Sequence, residues 1–86
     1  MHTNSETVSQ IMADIARALN CPPEAIPAQV DETAAAQILN IKKSTLSNWR
    51  CTGRYHLPYI KTGRLVRYRT FDLAEWIARR RVGAEG

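Results

Sequence analysis

The sequence predicts a mainly α fold with a two-stranded β wing, and three observations predict it. Apolar residues recur at helical spacing up to Cys51, the period falls to two between Leu57 and Arg69, and helical spacing returns from Thr70. The strand-like stretch is broken once, at Thr62-Gly63-Arg64, as a hairpin requires. A chain of 86 residues has room for one compact core and little room for a substrate cavity with supporting layers.

The first element runs from about Ser5 to Leu19. Val8, Ile11, Met12, Ile15 and Leu19 fall on one helical face, and Thr3 and Glu6 have the spacing of a capping box. Asn20 can take the left-handed backbone that ends a helix, and Pro22-Pro23 cannot continue one, so Cys21 to Pro27 reads as a stiff connector. The apolar face of this helix has two possible uses, packing on its own domain or pairing with another subunit, and the spacing leaves both open.

A second helix starts at Asp31, a good N-cap residue, and uses Ala34, Ala35 and Ala36 to allow close approach by a neighbour. Ile38 and Leu39 end it, Asn40 supplies a positive φ, and Ile41 plugs the turn. A third helix covers about Lys43 to Cys51 with Leu46 and Trp49 turned inward and Thr45 near the boundary. After Gly53 come the strand segments Leu57–Lys61 and Leu65–Arg69, in which alternation turns Val66 and Tyr68 inward and Leu65, Arg67 and Arg69 outward. Thr70 reads as the N-cap of a last helix, with Asp72 in its first turn and Phe71, Leu73, Trp76 and Ile77 as its apolar stripe. That helix closes on Arg79-Arg80-Arg81, where cations suit the negative end of the dipole.

Helix, helix, turn, helix, hairpin, helix is the order of a winged helix-turn-helix with an added N-terminal helix. The expected divisions are 1–29 for the N-terminal amphipathic helix and Pro-rich connector, 30–81 for the winged domain, and 82–86 for a flexible tail.

Composition excludes several classes. Cys21 and Cys51 lie far apart and belong to no C-x-x-C pair, so both read as reduced thiols, and with two isolated histidines they offer no metal-ligand spacing. No cofactor is expected. The first ten residues lack a signal-peptide pattern and no apolar run is long enough for a membrane span, which points to a cytoplasmic location, nucleoid-associated in a bacterial or phage-encoded protein. No paired carboxylates or nucleophile–base spacing suggests an enzyme, and His56 beside Tyr55 reads as a surface or phosphate contact and not a base.

Charge placement is the strongest functional signal. Lys42, Lys43, Arg50, Arg54, Lys61, Arg64, Arg67 and Arg69 crowd one window that holds no Asp or Glu, while the rest of the chain carries four basic and eight acidic residues. A polyanion partner explains the segregation better than a solvated face, and with the helix-turn-helix order double-stranded DNA is the expected partner. On the third helix the face opposite Leu46 and Trp49 offers Lys43, Ser44, Ser47 and Asn48, short groups that can donate or accept at base edges. Lys42 and Arg50 flank that face, and Arg54, Lys61, Arg64, Arg67 and Arg69 are assigned to the wing and the phosphates. Arg64 at the hairpin tip is placed to enter a minor groove. Pairing of Arg67 and Arg69 with Asp72 and Glu75 is the competing explanation, but such surface pairs contribute only ~0–1 kcal/mol.

Three stretches, AAAQILNIKKSTLSNW, LPYIKTGRLVRYR and TFDLAEWI, carry a resemblance. From Val30 to Ile77 the chain resembles the excisionase family of recombination directionality factors, whose winged helix-turn-helix is MerR-like. The run Gly63-Arg64-x-x-Arg67-Tyr68 followed by Asp72-Leu73-x-x-Trp76 is the most specific part. The resemblance implies a DNA-bending protein that binds short repeats beside an attachment site, contacts a tyrosine integrase and steers it toward excision of a prophage or other mobile element. It matches Ser44, Ser47 and Asn48 to major-groove positions and Arg64 and Arg67 to the wing. It also leaves room for self-association on DNA, through the N-terminal helix or neighbouring subunits. Lys42 stands where many members have a capping Ser or Thr, which makes Ser44 the substitute cap with a shifted helix start, and Asn40 replaces a Gly. The same domain occurs in small transcription regulators of phages and mobile elements. A protein-binding adaptor is the reading from a different class; it would show no preference for one DNA site. An RNA reader would need aromatics on an open sheet face, for which Tyr59 and Tyr68 are poor candidates.

Overall fold

The computed structural model describes residues 5–81, so the expected Thr3 cap and the expected tail from Val82 to Gly86 lie outside the described residues. Four α-helices surround a small antiparallel sheet in the order α1 (Ser5–Ala18), β1 (Gln29–Asp31), α2 (Glu32–Leu39), α3 (Lys43–Thr52), β2 (Ile60–Thr62), β3 (Leu65–Arg69) and α4 (Thr70–Arg79). The fold is a winged helix-turn-helix with an extra N-terminal helix.

The amphipathic face of α1 turns onto its own domain. Val8, Ile11 and Ile15 form a cluster with Ala74 of α4, which is fully buried and whose methyl group lets the helices approach closely. Each of the three aliphatic side chains contributes roughly 1.5–3 kcal/mol by leaving water. Asn20 has φ 58°, as its position at the helix end requires, and a single 3-10 turn at Pro23–Ala25 interrupts the connector.

The helix-turn-helix follows the sequence closely. Asp31 accepts a hydrogen bond from the Ala34 backbone N–H at 2.8 Å, and Asn40 ends α2 in the left-handed region with its own N–H returned to the helix carbonyls. α3 begins at Lys43 behind Lys42, whose side chain makes no cap bond; Ser44 does not move the start and stays on the exposed surface. The main core joins Val30, Ala35, Leu46, Leu57, Tyr68, Leu73 and Trp76, with Ile41 and Trp49 packed on its edge.

Four sequence expectations are corrected here. The wing hairpin is present, but the sheet has three strands in the order β1-β3-β2, with Val30 opposite Tyr68 on one side of β3 and Lys61 opposite Val66 on the other. A three-residue strand has no alternation to detect, and β1 exists because β3 offers it an unpaired edge. Thr70 does not cap α4. It is the first helical residue, it is buried, and its hydroxyl donates to the Pro27 carbonyl at 2.8 Å while its N–H bonds Ala28, stapling the connector to the start of α4. Phe71 leaves the apolar stripe and is 45% exposed. The first wing strand is also shorter than its apolar pattern: Leu57 is buried ahead of it and Pro58 has no N–H to give a ladder. Thr62 opposite Leu65 leaves Gly63 and Arg64 as a two-residue turn, with Gly63 at φ 60°, the sign a type II′ turn needs at its first position.

Candidate nucleic-acid interface

The core decides which face of α3 is shown. Leu46 is 1% exposed and Trp49 is half-buried against the core, so the opposite stripe is presented outward. On it Lys43, Ser44 and Asn48 are exposed, Lys42 is exposed just ahead of it, and Ser47 is half-buried on its flank. The sequence reading overlooked one member. Cys51, exposed, stands seven residues beyond Ser44 and three beyond Asn48, in the same stripe. Helical periodicity was the signal that could have found it.

Arg50 is turned away from that stripe. Its guanidinium donates to both carboxylate oxygens of Glu32, from Nε at 2.9 Å and from NH2 at 3.3 Å, and NH2 also donates to Ser47 Oγ. Glu32 accepts a third bond from the Tyr68 hydroxyl at 2.9 Å. The side chains of Arg50 and Glu32 are only 18% and 11% exposed. One carboxylate thus ties α3, the start of α2 and the central strand β3 together. Hydrogen bonding from Arg50 holds the Glu32 carboxyl below its ordinary value of 4.5, against the opposing effect of burial and with help from Tyr68. The same contact holds the Arg50 guanidinium more firmly protonated, and burial, then Glu32, pushes the Tyr68 hydroxyl well above the usual phenol range. All three groups keep their charge states across the neutral range, so the clamp is permanent there.

The wing supplies the cations. Lys61, Arg64 and Arg69 are exposed, although Arg69 approaches Asp72 at 3.6 Å. Arg67 is half-buried and folds its NH1 back onto the Val66 carbonyl at 2.9 Å. Arg54 is exposed in the loop that leads from α3 to the wing. The hairpin and α3 are thus joined through β3 and the Arg50–Glu32 ion pair, and no acidic residue interrupts the segment between Lys42 and Arg69.

That connecting loop has an unusual backbone. Gly53, Tyr55 and His56 all have positive φ, at 70°, 66° and 52°. A left-handed backbone costs a residue with a Cβ roughly 1–2 kcal/mol, so Tyr55 and His56 need external support. The Tyr55 carbonyl receives it from α4 and the residue after it, accepting from Trp76 Nε1 at 2.9 Å and from Arg80 at 2.8 Å.

Residues 31–81 match the family described as "Helix-turn-helix domain", more than half of the chain. The chain belongs to the helix-turn-helix domain family. No curated protein and no solved structure matches it. A helix-turn-helix domain is a double-stranded DNA-binding unit, and α3 is the second helix of the motif here. The match starts at the Asp31 cap and ends beyond α4, so α1 and the connector precede it. No helix among the described residues is long and apolar enough to cross a membrane.

The helix-turn-helix domain also explains its most specific sequence run. Tyr68, Leu73 and Trp76 are 1%, 0% and 8% exposed and belong to the core. Gly63 and Arg64 are exposed, and Arg67 and Asp72 are half-buried.

Proposed function

We propose that this helix-turn-helix domain recognises a specific DNA sequence and acts as an excisionase, a recombination directionality factor that bends repeats near an attachment site and steers a tyrosine integrase toward excision of a mobile element. The observation that carries the DNA reading is the outward stripe of α3, with Ser44 and Asn48 exposed and Ser47 half-buried on its flank, beside an acid-free basic wing; these three are the residues assigned to the bases. Asn48 is the residue suited to a two-bond contact with adenine, and Lys42 and Lys43 lie at the helix start where phosphates approach. Arg54, Lys61, Arg64 and Arg69 hold the backbone of the duplex, and Arg67 joins them by releasing the Val66 carbonyl. Arg50, engaged by Glu32, sets the angle of α3 and contributes little direct contact. The excision role is supported by the resemblance of residues 30–77 to that family, and self-association on DNA would follow from adjacent repeats.

Binding of labelled duplexes across a salt series tests the first half. Affinity falls steeply with salt because several phosphates are neutralised together, and Asn48→Ala reduces discrimination between sites by ~1–3 kcal/mol. Equal discrimination by wild type and Asn48→Ala removes the assigned reading face. Recombination between paired attachment sites, with the cognate integrase and with or without this protein, tests the second half. An unchanged direction of recombination would leave a site-specific transcription regulator as the function of the same DNA contacts.

A further inference from the structure

The segment Gly53–Tyr59 does more than connect α3 to the wing. It forms one wall of a cleft of about 400 Å³ whose other walls are the end of α3 and the inner strand of the sheet. Leu46, Leu57 and Tyr68 make its floor, and Arg54, His56 and Tyr59, all exposed, stand at its rim. No acid lines the cleft; the one carboxylate bonded to a lining residue, Glu32, is engaged by Arg50 and Tyr68. A cavity with an apolar and aromatic floor and the Arg54 guanidinium at the rim suits a ligand with one apolar part and one anionic part.

Resting on the DNA-binding reading, we propose that this cleft is a separate backbone site that takes one phosphodiester and its deoxyribose from the duplex, between the major-groove contact of α3 and the wing. Arg54 and His56 bind the phosphate, and the ring of Tyr59 receives the apolar edge of the sugar. The arrangement depends on residues that never touch DNA. Trp76 Nε1–H donates to the Tyr55 carbonyl and holds the loop in its left-handed backbone, and Arg80 adds a second bond to the same oxygen while its guanidinium lies 4.1 Å over the Trp76 ring. The Tyr55 ring meets Trp49 of α3 edge-on at 4.7 Å, which locks the loop to the recognition helix. Trp76 and Tyr55 are therefore positioning residues, and the strained Tyr55-His56 backbone is kept because it places Arg54 and His56 on the same rim.

The test measures affinity for one duplex over a salt series in the full chain. Arg54→Ala lowers the slope of log K against log salt by about 0.9, the value of one lost phosphate. His56→Ala weakens all duplexes evenly, roughly threefold to tenfold, as loss of one hydrogen bond does. Trp76→Phe keeps an aromatic ring in the core but removes the N–H, and it reproduces the slope change of Arg54→Ala although Trp76 is buried. Circular dichroism confirms that it is folded at the assay temperature. If Trp76→Phe lowers thermal stability yet keeps the wild-type slope, or if Arg54→Ala leaves the slope unchanged, the cleft is not a backbone site. A wild-type protein without any salt-dependent duplex binding would instead overturn the DNA reading itself, and this inference with it.

Discussion

Replacing Glu32 with Gln removes the negative charge at the centre of the clamp while keeping the shape of the side chain. The Arg50 guanidinium is then left 18% exposed without its counter-ion, and Tyr68, itself 1% exposed, keeps only a weaker acceptor. Removing one partner of a fully buried ion pair costs about 3–5 kcal/mol. Arg50 retains its bond to Ser47 Oγ and some contact with water, which reduces the expected loss to about 2 kcal/mol. For a domain of this size that is a fall of about 8–16 °C in Tm. Urea unfolding followed by the fluorescence of Trp49 and Trp76 reads the same loss as a lower midpoint. Adding Arg50→Met removes the stranded charge and recovers a substantial part of the lost stability. The pH dependence carries a sign. The folded carboxyl titrates below the ordinary 4.5, so its stabilisation is complete above that value and is lost as pH falls through the lower, folded value. The Glu32→Gln midpoint is therefore flatter than wild type across this acid range. A loss under about 0.5 kcal/mol, the size of an exposed pair, together with an unchanged acid profile, would refute the claim that this carboxylate organises the interface.

Two further substitutions test the fold. Thr70→Val removes the hydroxyl that donates to Pro27 and leaves that carbonyl without this donor, which lowers stability by about 1–2 kcal/mol in thermal unfolding; an N-cap loss is excluded because the Thr70 side chain caps nothing, and a neutral result would remove the staple. Phe71→Ser lowers stability by about 1–2 kcal/mol, since the ring is 45% exposed and keeps only part of its area from water, whereas a core phenylalanine would cost about 3–5 kcal/mol in the same melt.

The helix-turn-helix was legible because its signals are local. The Asp31 cap, the alanine run, the positive φ at Asn40 and the inward Leu46 depend on residues within one or two turns of one another, and each is found where the spacing places it. The hairpin was legible for the same reason, through Gly63. The exposed stripe of Ser44 and Asn48 followed from the period once Leu46 was placed inside.

Contacts made across the chain were not legible. Thr70 has the residue type and position of a cap, yet its hydroxyl reaches a carbonyl 43 residues earlier in the chain, and Phe71 has the spacing of a core residue at a place that α1 and the connector cover only in part. β1 is three residues whose only reason to be a strand is the edge of β3. Arg50 reads as one more cation in a basic window until Glu32 and Tyr68, 18 residues away from it on either side, are brought against it. Sequence by itself thus determined the fold class, the exposed face of α3 and the segregation of basic charge beside it, all of which rest on periodicity and charge that neighbouring residues set. Tertiary structure alone decided which cations remain available to DNA, because pairing and burial depend on groups that sequence distance does not order.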